Sequence, residues 1–473
     1  MSTTLIQGLP QGERITGTTL SIRAPGHRGS VQPLQAAGGG RSGGDRLPLD
    51  AAAALADAAV LARTQIELQP PAASAAGGRS GGGAPAALVV DARADASYAL
   101  LQTDEAGITR WLYPAPSSTP QQQVFELPPA VPAAPAGDGG RGEVTATMRR
   151  VVRVVSWLTA PIVGAGARAI TSAWEGRRRP YGLLMPAPGG TWAPASAPAA
   201  ASAIAGPTLL LVHGTFSTPG EAFAGWVGTP AFDAVAARYG RVLALAHPSL
   251  SASPAENVDW LLDALPGAGG MAGPIDIVCH SRGGLVAREI AARAAEGRLP
   301  AVARVCQVGT PNLGTPLADA EHWTDFIDAY TGALVALPDT TATMLLEGVL
   351  CLVKIVGTGV SRGLPGLAAM DPAGEALAAL RAAAAGTRWF SVGASYRAGA
   401  AEQGALARLH GVAKDAALRA FFEGDNDRVV PTEGCHRPGA AVADALRLDG
   451  STVDHCSYFR DLEVQAALAR WMS

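Results

Sequence analysis

From Pro207 onward, short apolar runs recur along the chain with amphipathic stretches between them. Thr208–Val212 (TLLLV), Arg241–Ala246 (RVLALA), Ile275–Cys279 (IDIVC), Ala303–Gly309 (ARVCQVG) and Trp389–Gly393 (WFSVG) have the length and continuous hydrophobicity of strands covered on both faces. Strands of that kind alternating with helical periodicity predict an α/β fold, a mainly parallel central sheet with helices on both faces. One of the helices announces its start. Ser253-Pro254-Ala255-Glu256 places Ser at the N-cap, Pro at the first helical position and Glu at the third, a reciprocal capping box. Further helices are expected over Leu285–Ala295 and over the last stretch, Glu463–Met472.

Before Pro207 the pattern is weaker. Residues 1–86 carry Gly-rich runs (Gly38 to Gly44, Gly77 to Pro85) around one Ala-rich stretch, Asp50 to Arg63, read as helical; the region is expected to be low in complexity and flexible. Residues 87–114 read as a small β unit with a hairpin about Glu105-Ala106-Gly107. Residues 115–142, rich in Pro, Ala, Gly and Gln, read as a linker, 143–185 as a helical segment, and 186–206 as a second linker. Within the helical segment, the uncharged run Val154 to Ala167 contains Pro161, Gly164 and Gly166 and falls short of the roughly 20 residues that span a bilayer. It is expected to pack on a neighbouring domain; the competing reading lays 144–175 on a membrane surface, inserting Trp157, Leu158 and Ile162.

Composition narrows the function classes. The net charge is −3, Lys354 and Lys414 are the only lysines, and Arg is not gathered into a basic domain, so nucleic-acid binding is not expected. The five cysteines, 279, 306, 351, 435 and 456, lie late in the chain without CxxC spacing, which argues against a disulfide framework and a metal site. No cofactor is expected. The first residues show no basic stretch leading into a sustained apolar run, so the expected location is cytoplasmic, peripheral to a membrane if 144–175 or 343–360 contacts one.

The strongest local signal is Ile275-Asp276-Ile277-Val278-Cys279-His280-Ser281-Arg282-Gly283-Gly284. A buried strand runs into a serine flanked by small residues and then into a helix, the setting in which a tight turn lifts a serine hydroxyl clear of a sheet. The bland alternative is a helix N-cap serine. Ser281 is the candidate nucleophile, with Cys279 standing where the G-x-S-x-G pattern has its first Gly. A nucleophilic serine needs a base, an acid to orient the base, and donors for the oxyanion. His213-Gly214-Thr215-Phe216-Ser217 follows a strand, and the backbone of Thr215 or Phe216 is assigned one oxyanion donor; the backbone of Arg282 is assigned the other. Asp427, opening Asp427-Arg428-Val429-Val430-Pro431, is the candidate acid, with Asp425 its competitor. His455, before the last helix, is the candidate base. His436 stands only nine residues beyond Asp427, His280 is read as packing, and His213 as structural.

These residues carry a resemblance. Residues 207–473 resemble an α/β-hydrolase of the esterase or lipase type in VHGTF, CHSRGG, DRVVP and the late His455, and the loop Gly309-Thr310-Pro311-Asn312-Leu313-Gly314-Thr315-Pro316 is similar to one in many lipases and inositol-deacylase-like proteins. The resemblance implies hydrolysis of a carboxylic ester through an acyl-enzyme on Ser281. It also places a lid-like insertion at 317–387, where the apolar run 344–360 and Trp323, Phe326 and Tyr330 are expected either to contact an acyl chain or lipid surface or simply to cover the sheet. An apolar acyl ester is the expected substrate. The rival readings are a non-catalytic binding module of the same fold, and a thioesterase, peptidase or phospholipase using the same three residues.

Overall fold

The computed structural model of the 473-residue chain describes residues 4–33, 61–69, 86–104, 109–128, 150–158, 166–195, 206–266, 270–271, 273–318, 322–325, 327–328, 331, 349, 353, 356, 363–380, 386–397, 422 and 424–473. The chain divides into two compact units: Met1–Ala165 with Ile327–Ser361 and Ala398–Lys414, and Gly166–Phe326 with Arg362–Arg397 and Asp415–Ser473.

The described residues of the first unit form ten strands: β1 Thr4–Ile6, β2 Glu13–Arg14, β3 Leu20–Arg23, β4 Arg28–Pro33, β5 Leu61–Gln69, β6 Ala87–Asp91, β7 Ala96–Asp104, β8 Thr109–Leu112, β9 Gln122–Glu126 and β10 Arg150–Leu158. They form two antiparallel sheets, ordered β1-β4-β5-β10-β7-β8 and β2-β3-β6-β9. Alternating residues of both, among them Ile66, Leu100 and Val152 from the larger sheet and Ile22, Leu88 and Phe125 from the smaller, enter one shared core.

This corrects four expectations. Residues 1–86 are not uniformly flexible, since they supply five strands; the Gly-rich runs 38–44 and 77–85 lie outside the described residues, as does 50–60 of the expected helix, while Leu61–Arg63 belong to β5. The linker 115–142 contains β9. The small β unit does contain an antiparallel β7–β8 pair, but it is a fragment of larger sheets. Finally, Arg150–Leu158 is a central strand, paired on both sides, and among the described residues of 143–185 only Gly166–Arg178 is helical. The β-branched content of RVVRVVSWL favours the pleated conformation, and flanking strands supply the partners that a lone amphipathic helix would not need. Trp157 is buried there at 2% exposure, which removes it as a membrane-inserting side chain; Ile162 lies outside the described residues. Asp328 and Thr331, early in the expected lid, hydrogen-bond to Trp111 of β8: the Trp111 amide donates to Asp328 Oδ1 at 2.7 Å and its indole N–H to Thr331 Oγ1 at 3.2 Å. Phe326, Tyr330 and most of 344–360 lie outside the described residues; Val349 and Val353, which are described, are buried.

The second unit opens with α1 (Gly166–Arg178), followed by β11 Gly182–Ala187, β12 Thr191–Pro194, β13 Thr208–Val212, α2 Pro230–Ala236, β14 Arg241–Ala246, α3 Pro254–Ala264, β15 Ile275–His280, α4 Gly283–Ala295, β16 Val302–Val308, β17 Arg388–Tyr396, β18 Val442–Ser451 and α5 Leu462–Trp471. Its eight-stranded sheet runs β12-β11-β14-β13-β15-β16-β17-β18, with β14 through β18 parallel and the β11–β12 hairpin antiparallel at one edge. All five anticipated strands are present. β11, β12 and β18 extend the sheet beyond them, so part of the second expected linker is sheet edge. The two faces carry separate cores: Leu209 and Leu211 pack with α2 and α5, while Leu210 and Val212 pack with α3 and α4. The sheet is therefore covered on both sides, as the alternation of strands and helices predicts for an α/β fold. The capping box of α3 forms as read, Ser253 N–H donating to Glu256 Oε2 at 2.8 Å and Glu256 N–H to Ser253 Oγ at 3.2 Å.

Past the C-terminal ends of β13 and β14, His213 and His247 stack with ring centroids 4.1 Å apart. The His247 amide donates to His213 Nε2 at 3.1 Å, which leaves the proton on Nδ1, donated to Gly214 O at 2.9 Å. Burial holds both rings neutral, pushing His247 down to about 3 and His213 well below its ordinary value.

Two stability predictions follow from this packing. Leu210→Ala, at a fully buried position of β13, is expected to cost about 2–5 kcal/mol in urea denaturation followed by circular dichroism; a loss below about 1 kcal/mol would contradict its place in the sheet. Because the native His247 ring stays neutral to about pH 3 while the unfolded ring protonates near 6.5, its contribution is intact above pH 6.5 and is lost as pH falls from 6.5 toward 3. His247→Gln should flatten the fall in unfolding free energy across that window by up to about 1.4 kcal/mol per pH unit, and an unchanged slope would refute the assignment.

Candidate functional site

Strand β15 delivers Ser281 to a turn in which it adopts φ +54°, a left-handed conformation costly for a residue with a Cβ. Close packing holds it there. The Ser281 amide donates to Val308 O at 2.8 Å, and Gly284 N–H donates to Ser281 O at 2.9 Å, starting α4. A Cβ on Gly214 would lie 2.6 Å from Ser281 Cβ, one on Gly283 would overlap the Val212 and His213 carbonyls, and one on Gly284 would overlap the Thr310 side chain. Small residues are thus required where the strand, the helix and the His213–Phe216 loop meet. Cys279, the departure from the glycine pattern, is accommodated by aiming its thiol at Cys306 O on β16, 3.4 Å away; burial pushes that thiol's pKa up.

The structure brings three of the predicted residues into one line. Ser281 Oγ lies 2.8 Å from His455 Nε2, and His455 Nδ1 lies 2.7 Å from Asp427 Oδ2. All three are buried, at 2%, 0% and 0% exposure. Asp427 is oriented by further donors: the Val429 and Val430 amides reach Oδ1 at 3.1 and 2.7 Å, and the Tyr458 hydroxyl reaches Oδ2 at 2.9 Å. Burial and the Asp427 carboxylate hold the Tyr458 pKa well above its ordinary value, which keeps it a donor. Asp425, the competing acid, points elsewhere and pairs with Arg397 at 3.2 Å. His436 also stands apart, its Nδ1 2.7 Å from Ser391 Oγ.

His455 is fixed through its backbone as well. Its amide donates to Asp427 O at 3.0 Å, and its carbonyl accepts from His280 Nε2 at 2.8 Å. Burial lowers His280 to about 3, so a neutral imidazole makes that bond. His280 therefore does more than pack: it pins the base. Tyr458 and His280 were both missed in the sequence as contributors, since their partners lie 31 and 175 residues away.

The two oxyanion candidates beside Gly214 separate. The Phe216 amide, in a residue at φ +60°, donates to Ser249 Oγ at 3.1 Å, whereas no protein acceptor among the described residues takes the Thr215 or Arg282 amide. Thr215 Oγ1 contacts Met370 Sδ at 3.8 Å, which places an apolar side chain beside this loop. Trp323, from the expected lid, is buried and donates to Ala318 O at 3.0 Å. Among the described residues no group of three or more His, Cys, Asp and Glu side chains is arranged to hold a metal ion, and no helix is long and apolar enough to cross a membrane.

No curated protein matches the chain significantly. Among solved structures it is similar to the lipase BlEst2 from Bacillus licheniformis in mature form (18% identity, TM-score 0.33, covering 60% of this chain and 98% of that one). It is also similar to EstA from Clostridium botulinum (13% identity, TM-score 0.39, covering 57% and 89%) and to the metagenomic carboxyl esterase MGS0156 (19% identity, TM-score 0.33, covering 65% and 91%). One family model matches residues 185–473, most of the second unit and more than half of the chain. The chain belongs to that family, described as a domain of unknown function (DUF7379).

Proposed function

We propose that the chain is a serine hydrolase that cleaves a carboxylic ester with an apolar acyl group. The observation that carries this reading is the continuous hydrogen-bonded line from Ser281 Oγ through His455 to Asp427 Oδ2, at 2.8 and 2.7 Å, with Ser281 held at positive φ at the end of a parallel strand. Met370 beside Thr215 supports the apolar acyl group.

His455 Nε2 takes the Ser281 proton as Oγ attacks the ester carbonyl. Asp427 holds the Nδ1–H tautomer and stabilises the imidazolium that forms. The Thr215 and Arg282 amides stabilise the tetrahedral oxyanion; the Phe216 amide, engaged by Ser249, is not a donor to it. His455 then gives its proton to the leaving alkoxide, and water, activated by the same imidazole, releases the acid.

The purified protein should take a single fluorophosphonate adduct by intact mass, abolished by Ser281→Ala and by His455→Ala. Hydrolysis of a chain-length series of oxygen esters should fall by about four orders of magnitude or more in Ser281→Ala, and by about four in Asp427→Asn, with Asp425→Asn near wild type. Parallel thioester and peptide series should be poorer substrates. A folded wild-type protein that takes no adduct, with or without detergent or liposomes, would overturn the enzyme reading in favour of a binding module.

A further inference from the structure

Away from the Ser281–His455–Asp427 line, a dense set of buried polar contacts surrounds the loop Ser249–Ala252, between β14 and α3. Glu175, on α1, is fully buried, and its carboxylate receives the loop's donors. The Ser249 and Leu250 amides reach Oε1 at 2.6 and 2.9 Å, the Ser251 amide and hydroxyl reach Oε2 at 2.9 and 2.6 Å, and the Ser249 hydroxyl lies 3.4 Å from Oε1. The fully buried Arg282 guanidinium grips the loop's other end. Nη2 donates to Ala252 O, Nη1 to Asn257 Oδ1 at 3.1 Å and Nε to Gly366 O at 3.1 Å. Glu175 offsets part of the cost of burying that cation. The Gly366 amide donates to Leu250 O at 2.9 Å, and a Cβ at 366 would overlap the Ser249 carbonyl, so this neighbouring turn packs flush on the loop.

The loop is joined to both oxyanion donors. Ser249 Oγ accepts the Phe216 amide at 3.1 Å and so holds Phe216 at φ +60°, next in the chain to Thr215; Arg282 carries the second donor on its own backbone. We propose that Glu175 and Ser249 are positioning residues for the oxyanion hole, a buried carboxylate on α1 fixing the loop that in turn fixes the Thr215–Phe216 backbone. The inference rests on the serine-hydrolase reading above. An oxyanion donor stabilises developing charge only if it is aimed before the charge appears, and the bond from the Phe216 amide to Ser249 Oγ ties the backbone beside Thr215 to the loop that Glu175 holds. Glu175 lies more than a hundred residues before Ser281 and outside every motif, which is why the pattern of residues gives no hint of it.

The test uses the full chain and steady-state hydrolysis of a p-nitrophenyl ester, with folded fraction and melting temperature measured for each variant. Ser249→Ala should lower kcat about tenfold with KM within about twofold, and Ser249→Thr, which keeps the hydroxyl, should recover most of the loss. Glu175→Gln, which keeps the volume and removes the charge, should lower kcat by about a hundredfold; if it fails to fold, the Ser249 pair still decides. Phenylboronic acid, which forms a tetrahedral adduct on the serine, should bind Ser249→Ala more weakly by the same factor as the fall in kcat. If an active wild type is matched in kcat per folded molecule by Ser249→Ala, or if only KM changes, the loop is merely structural and the proposal is overturned. A wild type inert to both ester and fluorophosphonate overturns the hydrolase reading, and the positioning role with it.

Discussion

The second unit depends on how closely three backbones approach at Ser281. The end of β13, the turn after β15 and the first turn of α4 meet where Gly214, Gly283 and Gly284 leave no room for a Cβ, and this contact holds a serine at φ +54°. Strain of that kind persists only where surrounding packing overdetermines the backbone. Here that packing is a six-stranded parallel block whose two faces are filled by Leu209 and Leu211 on one side and Leu210 and Val212 on the other. The core stabilises the sheet, and the sheet in turn supports the strained turn.

Around that turn, polar groups are buried in large number, and the charged ones hold or are held by several partners each. Asp427 receives four donors, the His455 backbone is held at both its amide and its carbonyl, and Glu175 and Arg282 hold one loop from opposite ends. A buried carboxylate or guanidinium without such partners would cost several kcal/mol. With them, the same groups become rigid supports, because displacing one leaves several others unpaired. His213, His247 and His280 fit this logic as neutral rings whose nitrogens lock backbone groups, while His455 alone of the four lies in line with the serine.

How far the chain could be read in advance varied with the range of the deciding interaction. TLLLV, RVLALA, IDIVC, ARVCQVG and WFSVG are strands, and Ser253–Glu256 caps a helix, because continuous burial and capping leave their mark within a few residues. The serine turn was legible for the same reason. In the first unit RVVRVVSWL has the apolar content of a helix, and β1 to β4 are strands of two to six residues without strong periodicity, while their antiparallel partners lie far along the chain. Gln122–Glu126 has a strand's partners without a continuous run of apolar residues: it is exposed at both ends and buries Phe125.

The sequence by itself determined the candidate nucleophile and base and narrowed the acid to Asp427 or Asp425, because each sits in a local motif shaped by backbone geometry. Choosing Asp427 over Asp425 and separating Thr215 from Phe216 required the tertiary structure, since each turns on where a single side chain or amide points after the chain has folded back. The same holds for Glu175, Ser249, His280 and Tyr458. Their partners lie tens to hundreds of residues away, and hydrogen bonds act over about 3 Å of space with no reference to separation along the chain.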